Sequence, residues 1–500
     1  MTTLRYYIIV TFTGAVIMAL EIISSRILAP EFGNSVYVWG SIISVFLAAL
    51  SVGYYIGGRL ADRQPRLQTL GRVLCGAAFF QVLVIFFGTQ WTASIGNLTA
   101  GSPLGTLIAA TLLFGPPSLL LATVSPFIVR LAARDLKELG NTAGKLYALS
   151  TGGSLVGTLA CTFMLIPLLE VHRILGLLLL LTLAVAVLSL VGAIPRERVF
   201  SIFALVLAVV AIKAMIGVRH LPSDVLHYEV TPYQTLQVTE RDGQRFLYGD
   251  RELYSAVSLE DKQASHIYQR YPAAALLLKP DIESMAIFGM GSGGMGTYIR
   301  NSVPELELDY VEIDPAVAKL ARQYFFFRED VRTRVHLKDA RQFLRTADRR
   351  WDFILANAYI GLSVPFHLTT LEFFGEVKEH LTTGGVLGIN LPTGLENPFS
   401  RAIFHTLTTE FATVLAFGVR GAQNVFLMAT DHNLPMPKQE MMRLARELDK
   451  ELDFDPPLLE IASVRLEVVL DPAETVLLSD AYAPANYLVA AGTMPESLKR

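Results

Sequence analysis

The sequence predicts an α-helical transmembrane bundle of about seven helices followed by an α/β domain, and three observations carry that expectation. Of the 500 residues, 52% are hydrophobic and 17% charged, with a mean hydropathy of +0.43, whereas soluble domains carry about 25% charged residues. The charge is unevenly spread: residues 1–217 hold 14 Lys+Arg and 7 Asp+Glu, the remainder 28 and 38, so the net −3 hides halves of +7 and −10. From residue 224 onward, short β-rich runs alternate with amphipathic helices, the pattern of a parallel sheet with helices on both faces. Together these exclude a single soluble domain, a disordered chain and a generally basic nucleic-acid binder. The two cysteines, both inside apolar runs, exclude a disulfide scaffold.

Seven apolar runs reach the ~20 residues that a helix needs to span the hydrocarbon layer: 6–28, 37–56, 70–89, 104–132, 145–169, 174–193 and 199–216. The first lacks a small-residue cleavage site followed by polar chain, so it is expected to stay in the mature protein. Gly115-Pro116-Pro117 and Pro126 should kink or break the fourth, because each proline removes a backbone donor and clashes one turn back. Short loops carry Arg59, Arg63, Arg66 and Arg72, then Arg130, Arg134, Lys137 and Lys145, then Arg196 and Arg198, while 90–103 carries none. The positive-inside rule places those three loops and the amino terminus in the cytoplasm. Glu21 lies deep in the first run and Arg26 five residues later; an intramembrane carboxylate costs about 2.5–3.5 kcal/mol on insertion scales and is a candidate functional group. A structural Glu21–Arg26 pair is the alternative. Gly53, Gly57, Gly58, Gly152, Gly153 and Gly157 are expected to let helices approach closely.

The second half should run from 224 to 500, with a β-hairpin region at 224–258 and a doubly wound core at 259–500. Hairpin strands are expected at 233–240 and 245–252, joined through Asp242-Gly243, then a helix at 260–278. A strand at 284–288 leads into Gly289-Met290-Gly291-Ser292-Gly293-Gly294 and a helix, where glycines let backbone approach a ligand at the helix amino end. The next strand, 306–311, ends in Glu312, 23 residues after Gly289, where a carboxylate can accept both hydroxyls of a ribose. Strand 334–337 ends in Asp339, placed to accept from an adenine amino group, and strand 352–355 ends at Asn357. Runs 384–390, 413–419 and 424–430 complete about seven strands. Ligands in such sheets bind at the carboxyl ends of the strands, where Gly289, Glu312, Asp339 and Asn357 all fall. His266, His336, His367, His380 and His405 show no metal-ligand spacing, so no metal is expected.

At these residues the chain resembles the spermidine synthase (aminopropyltransferase) family, built on the seven-stranded Rossmann-like S-adenosylmethionine methyltransferase fold, in the version fused behind a helical membrane domain. In the first half the resemblance rests on Glu21, Arg26-Ile27-Leu28-Ala29-Pro30, Phe32-Gly33, Trp39-Gly40, Gly57-Gly58-Arg59, Leu146-Tyr147-Ala148 and Ile166-Pro167. In the second it rests on Pro232-Tyr233-Gln234, the glycine loop, Val311-Glu312-Ile313-Asp314-Pro315, Lys338-Asp339-Ala340-Arg341, 365–369 and Ser479-Asp480-Ala481-Tyr482-Ala483-Pro484. It implies that the co-substrate is S-adenosylmethionine or its decarboxylated form, with Gln234 contacting the nucleoside, Glu312 holding the ribose, Asp339 and Ala340 the adenine, and Gly289, Gly291, Ser292 and Gly293 its backbone cradle. Tyr233 would border the acceptor pocket.

Two positions depart from the family. Its glycine-loop Asp, which grips the aminopropyl ammonium, reads Ser292, and the Asp that takes the proton of the attacking amine reads Asn357. An amide cannot accept that proton. Four readings stay open: aminopropyl or carboxy-aminopropyl transfer with Asp480, Asp250, Tyr359 or His367 as proton acceptor; methyl transfer to a membrane-soluble acceptor; cleavage of S-adenosylmethionine to methylthioadenosine and homoserine lactone; or a non-catalytic nucleoside sensor coupled to a transporter-like bundle. The expected partners are a small molecule such as a polyamine or amphipathic amine, and the lipid bilayer, with no nucleic acid; a homo-oligomer is compatible. A bacterial-type inner membrane is the expected location. Seven spans would put the second half outside, whereas the supply of S-adenosylmethionine argues for the cytoplasm.

Overall fold

The computed structural model describes residues 2–33, 36–99, 102–133, 139–190, 205–209, 212, 222–250, 252–358, 364–434, 436–471 and 475–490. The chain divides into two compact units, Met1–Leu221 and Pro222–Arg500.

In the first unit, six helices are long and apolar enough to cross a membrane: Thr3–Phe32, Val36–Arg63, Leu67–Thr99, Pro103–Ala132, Leu139–Leu168 and Val171–Leu190. Of the seventh expected run only 205–209 and 212 fall among the described residues; the rest lies outside them. The segments are α1 (Thr2–Phe32), α2 (Val36–Arg63), α3 (Leu67–Thr99), α4 (Pro103–Ala122), α5 (Val124–Ala132), α6 (Leu139–Ala160) and α7 (Val171–Leu190). The fourth span does break, but not at Pro116-Pro117, which lie inside α4. The interruption falls at Thr123, because Pro126 has no N–H to bond the carbonyl one turn back. The fifth ends in a π turn, Cys161–Leu165, ahead of Pro167.

Glycine sets the helix pairing. A methyl on Gly153 would lie 2.0 Å from the Thr11 carbonyl oxygen and one on Gly157 2.3 Å from that of Ala15, so α1 and α6 touch backbone to backbone. Gly53 and Gly57 bring α2 equally close to Leu119 and Thr123, whereas Gly58 and Gly152 face open space. Arg130 at the end of α5 pairs with Asp62 at the end of α2 at 3.0 Å, which brings two of the basic segments to one end of the bundle. Glu21 and Arg26 are both half-buried on α1.

The second unit holds two sheets. Strands β1 (Val225–Val230), β2 (Thr235–Arg241), β3 (Gln244–Gly249) and β4 (Glu252–Ser258) form an antiparallel meander in that order. Asp242 and Gly243, at φ 52° and 69°, form the two-residue turn that matches strand twist. Sequence pattern finds β2 and β3 but misses β1 and β4. The larger sheet comprises β5 (Ser284–Phe288), β6 (Glu307–Glu312), β7 (Thr333–Leu337), β8 (Trp351–Ala356), β9 (Leu381–Leu391), β10 (Thr413–Gly418), β11 (Val425–Thr430) and β12 (Arg465–Leu466). Its order is β12-β10-β11-β9-β8-β5-β6-β7. The run β7-β6-β5-β8-β9 is parallel, and β11, β10 and β12 close it antiparallel. This is a Rossmann-like fold with the expected seven strands plus a two-residue edge strand. Met285 and Ile287 of β5 enter one apolar cluster and Ala286 and Phe288 the other, so both faces are covered. The expected helix at 260–278 is instead a 3₁₀ segment, Ile267–Leu277, with Pro272 in its interior.

Candidate functional site

The parallel strands deliver their carboxyl ends to one rim, and the turn after β5 sets its centre. Gly289, Gly291 and Gly293 have φ of 88°, 54° and 80° before the helix α8 (Gly294–Ser302) begins. A methyl on Gly289 would lie 2.4 Å from the Asn357 carbonyl oxygen, so the β5 and β8 turns are in backbone contact. At the end of β6, Glu312 accepts the Met290 N–H at 3.0 Å and the Asp314 N–H at 2.9 Å, which clamps the glycine turn to the neighbouring strand. Its carboxylate is buried, and that burial pushes its pKa up to about 6 against the pull of the backbone donors. Each oxygen keeps a second lone pair for a ligand hydroxyl.

Asp314 caps the helix α9 (Pro315–Tyr324), accepting the Ala316 N–H at 3.0 Å. Its other oxygen accepts from Thr231 Oγ1 at 2.7 Å and Gln234 Nε2 at 3.2 Å, while Gln234 Oε1 accepts from the Tyr254 hydroxyl. The small sheet is thereby fastened over the rim. Asp339 caps α10 (Ala340–Thr346) through the N–H groups of Arg341 and Gln342, both at 3.0 Å, and its second oxygen meets His367 Nε2 at 3.0 Å. The His367 bond holds that carboxyl below the usual range.

Between these elements lies a cavity of about 440 Å³, within the ~300–1,000 Å³ range of small-molecule sites. Its walls include Gln234, Gly289, Gly291, Glu312, Asp339, Ala340 and Asn357, expected at the cofactor, and Tyr233, expected to border the acceptor pocket, together with Glu252, Tyr254, His266, Tyr268, His367, Asn390 and Asn424. The spread follows sheet order: Asp339 after β7, Glu312 on β6, Gly289 after β5, Asn357 after β8, Asn390 on β9, Asn424 before β11. His266 Nδ1 is buried without a hydrogen-bond partner among the described residues, and burial lowers the pKa of that imidazole.

Other expected residues lie elsewhere. Ser292 is buried with its hydroxyl 2.7 Å from Ser255 of β4, and neither it nor Gly293 lines the cavity. Asp480 is gripped by both terminal nitrogens of Arg341 at 2.7 and 2.8 Å and by Thr370, outside the lining. Asp250 accepts the Thr235 N–H at 2.8 Å, again outside it. Tyr359 is outside the described residues. Sequence reading did not assign a role to Glu252, His266, Asn390 or Asn424. Asn390 carried a signal, as the end of the strand beside β8; His266, on a segment read as an ordinary helix, carried none.

No family model matches the chain. A polyamine aminopropyltransferase of Vibrio vulnificus (strain CMCP6) is 30% identical over 277 residues, which is 54% of this chain and 89% of that protein. A probable polyamine aminopropyl transferase of Bifidobacterium longum (strain NCC 2705) is 26% identical over 247 residues, 47% of this chain and 55% of that one. The crystal structure of a probable spermidine synthase from Corynebacterium glutamicum ATCC 13032 aligns at 19% identity and a TM-score of 0.40, over 50% of this chain and 98% of that one.

Proposed function

The chain belongs to the polyamine aminopropyltransferase family, and from that membership we propose that it binds S-adenosylmethionine or its decarboxylated form and transfers the (carboxy)aminopropyl group to an amine. The observation that carries this reading is the pair of carboxylates at adjacent strand ends, Glu312 and Asp339, in one cavity beside the Gly289 turn. Glu312 offers spare lone pairs to ribose hydroxyls, Asp339 an acceptor edge to an adenine amino group, and Gly289 lets the β5 turn lie against the β8 turn at the cavity wall. The bound sulfonium supplies an electrophilic carbon: the amine nitrogen bonds to it, the C–S pair passes to sulfur, and methylthioadenosine leaves. The attacking nitrogen then sheds a proton. Among the described lining residues, Glu252 and His266 are our candidates to receive it, which an amide at 357 cannot, His367 being held by Asp339. Six apolar helices make the chain a multi-pass membrane protein in this reading, with the Pro222–Arg500 unit on the cytoplasmic side, where the donor is made. Cleavage of that unit by protease only from the periplasmic face of oriented vesicles would reverse the orientation.

The test of the reaction is product identification by mass after incubating the full-length protein with either donor and a polyamine. Methylthioadenosine together with an aminopropylated amine is expected. Adenosylhomocysteine would mean methyl transfer instead, and methylthioadenosine with homoserine lactone in the absence of amine would mean intramolecular cleavage.

A further inference from the structure

Three amides cross the far half of the cavity in single file. Asn424 donates from Nδ2 to Asn390 Oδ1 at 3.0 Å, and Asn390 donates from Nδ2 to Asn357 Oδ1 at 2.8 Å. All three line the cavity. The direction of the row matters: each amide oxygen facing along it is consumed by the next amide's N–H. At its end stands Asn357 Nδ2, which makes no hydrogen bond among the described residues. Amides bonded head to tail polarise one another, so the terminal N–H is a stronger donor than an isolated one. The nucleoside carboxylates lie on the other side of the glycine turn, since Asp339 and Glu312 end β7 and β6 while the amides belong to β8, β9 and β11. The part of a ligand beyond the ribose therefore meets donors rather than carboxylates, except for exposed Glu252 on β4.

We propose that the Asn357–Asn390–Asn424 row is a carboxylate-binding subsite that selects intact S-adenosylmethionine over its decarboxylated form. The inference rests on the nucleoside-binding reading above and names the donor that reading leaves open. Asn357 touches the ligand; Asn390 and Asn424 are positioning residues that fix the direction in which its amide points. A charge-assisted hydrogen bond to a partly buried carboxylate is worth about tenfold or more in affinity, while a donor lacking the carboxylate gains nothing from the row.

The experiment is calorimetric titration of the full-length detergent-solubilised protein with methylthioadenosine, S-adenosylmethionine and decarboxylated S-adenosylmethionine, for the wild type, Asn357→Asp and Asn424→Ala. Wild type should bind S-adenosylmethionine about tenfold or more tighter than the decarboxylated form. Asn357→Asp should reverse that ratio, and Asn424→Ala should narrow it, each donor's affinity being taken relative to that for methylthioadenosine in the same protein. Equal affinity for the two donors in wild type, or an unaltered ratio in the variants, overturns the inference while binding of methylthioadenosine keeps the nucleoside reading intact. Absence of methylthioadenosine binding in wild type overturns both. Asn424, half-exposed before β11, keeps the test decisive where Asn357→Asp fails to fold.

Discussion

Glu312 is the residue on which protonation and binding pull in opposite directions. Burial raises its pKa to about 6 from 4.5, so folding favours the protonated form. Its stabilising contribution is complete below about pH 4.5 and is lost as the pH rises through about 6. Ribose hydroxyls need the ionised form, so nucleoside affinity should rise over the same interval and flatten above it. Titration of methylthioadenosine from pH 5 to 8 measures this, and Glu312→Gln should remove both the pH dependence and about 10–100-fold of affinity. Asp339 separates into two roles by the same logic. Asp339→Ala should cost about 0.5–2 kcal/mol through the lost cap and abolish nucleoside binding, whereas Asp339→Asn keeps a capping oxygen and should spare stability more than binding; melting curves beside calorimetry distinguish them. The place of both carboxylates at the rim is legible in the sequence, because each ends a β-rich run in an alternating pattern whose parallel strands bring their carboxyl ends to one side. The direction of Ser292 is not. Its side chain turns to Ser255 because of left-handed backbone at Gly291 and Gly293, and no composition or spacing encodes that. The amide row is equally hidden, since Asn357, Asn390 and Asn424 meet only once three strands are ordered in the sheet.

The turn between β5 and α8 is the element most sensitive to a single atom. Gly289→Ala combines a φ of 88° with a methyl 2.4 Å from the Asn357 carbonyl oxygen, so it should destabilise the protein by about 1–3 kcal/mol and weaken methylthioadenosine binding by displacing β8 from β5. Gly243→Ala, at φ 69° but with open space around it, carries strain without the clash and should leave binding unchanged; comparing the two separates turn strain from site geometry. Among the membrane helices, Gly157→Leu should force α1 and α6 apart, read as a lower melting temperature in detergent, while the same change at Gly152, which faces open space, should be neutral. The hydropathy runs locate these helices well because ~20 apolar residues leave few alternatives in lipid. They do not locate the interruption at Thr123, since whether a proline breaks a helix depends on whether neighbouring segments re-satisfy the freed carbonyls.

At the scale of the whole chain, the division after residue 221 explains why one net charge describes neither part. Among the described residues of the first unit, Arg63 and Arg130 sit in the last turns of apolar helices, Arg130 beside Asp62. The acidic excess of the second unit lies on an α/β domain whose cavity holds two carboxylates, Glu312 and Asp339. A fragment beginning at Pro222 should therefore remain soluble without detergent and bind methylthioadenosine as the full chain does; loss of solubility would mean that the helices cover part of its surface. In the proposed reading Glu312 and Asp339 make the rim of the parallel sheet a nucleoside site. Titrating the full-length protein with methylthioadenosine at pH 7.5 should then give saturable one-to-one binding that Glu312→Gln weakens and Asp339→Ala abolishes; no binding heat, or equal affinity in all three proteins, would mean that the rim holds no nucleoside.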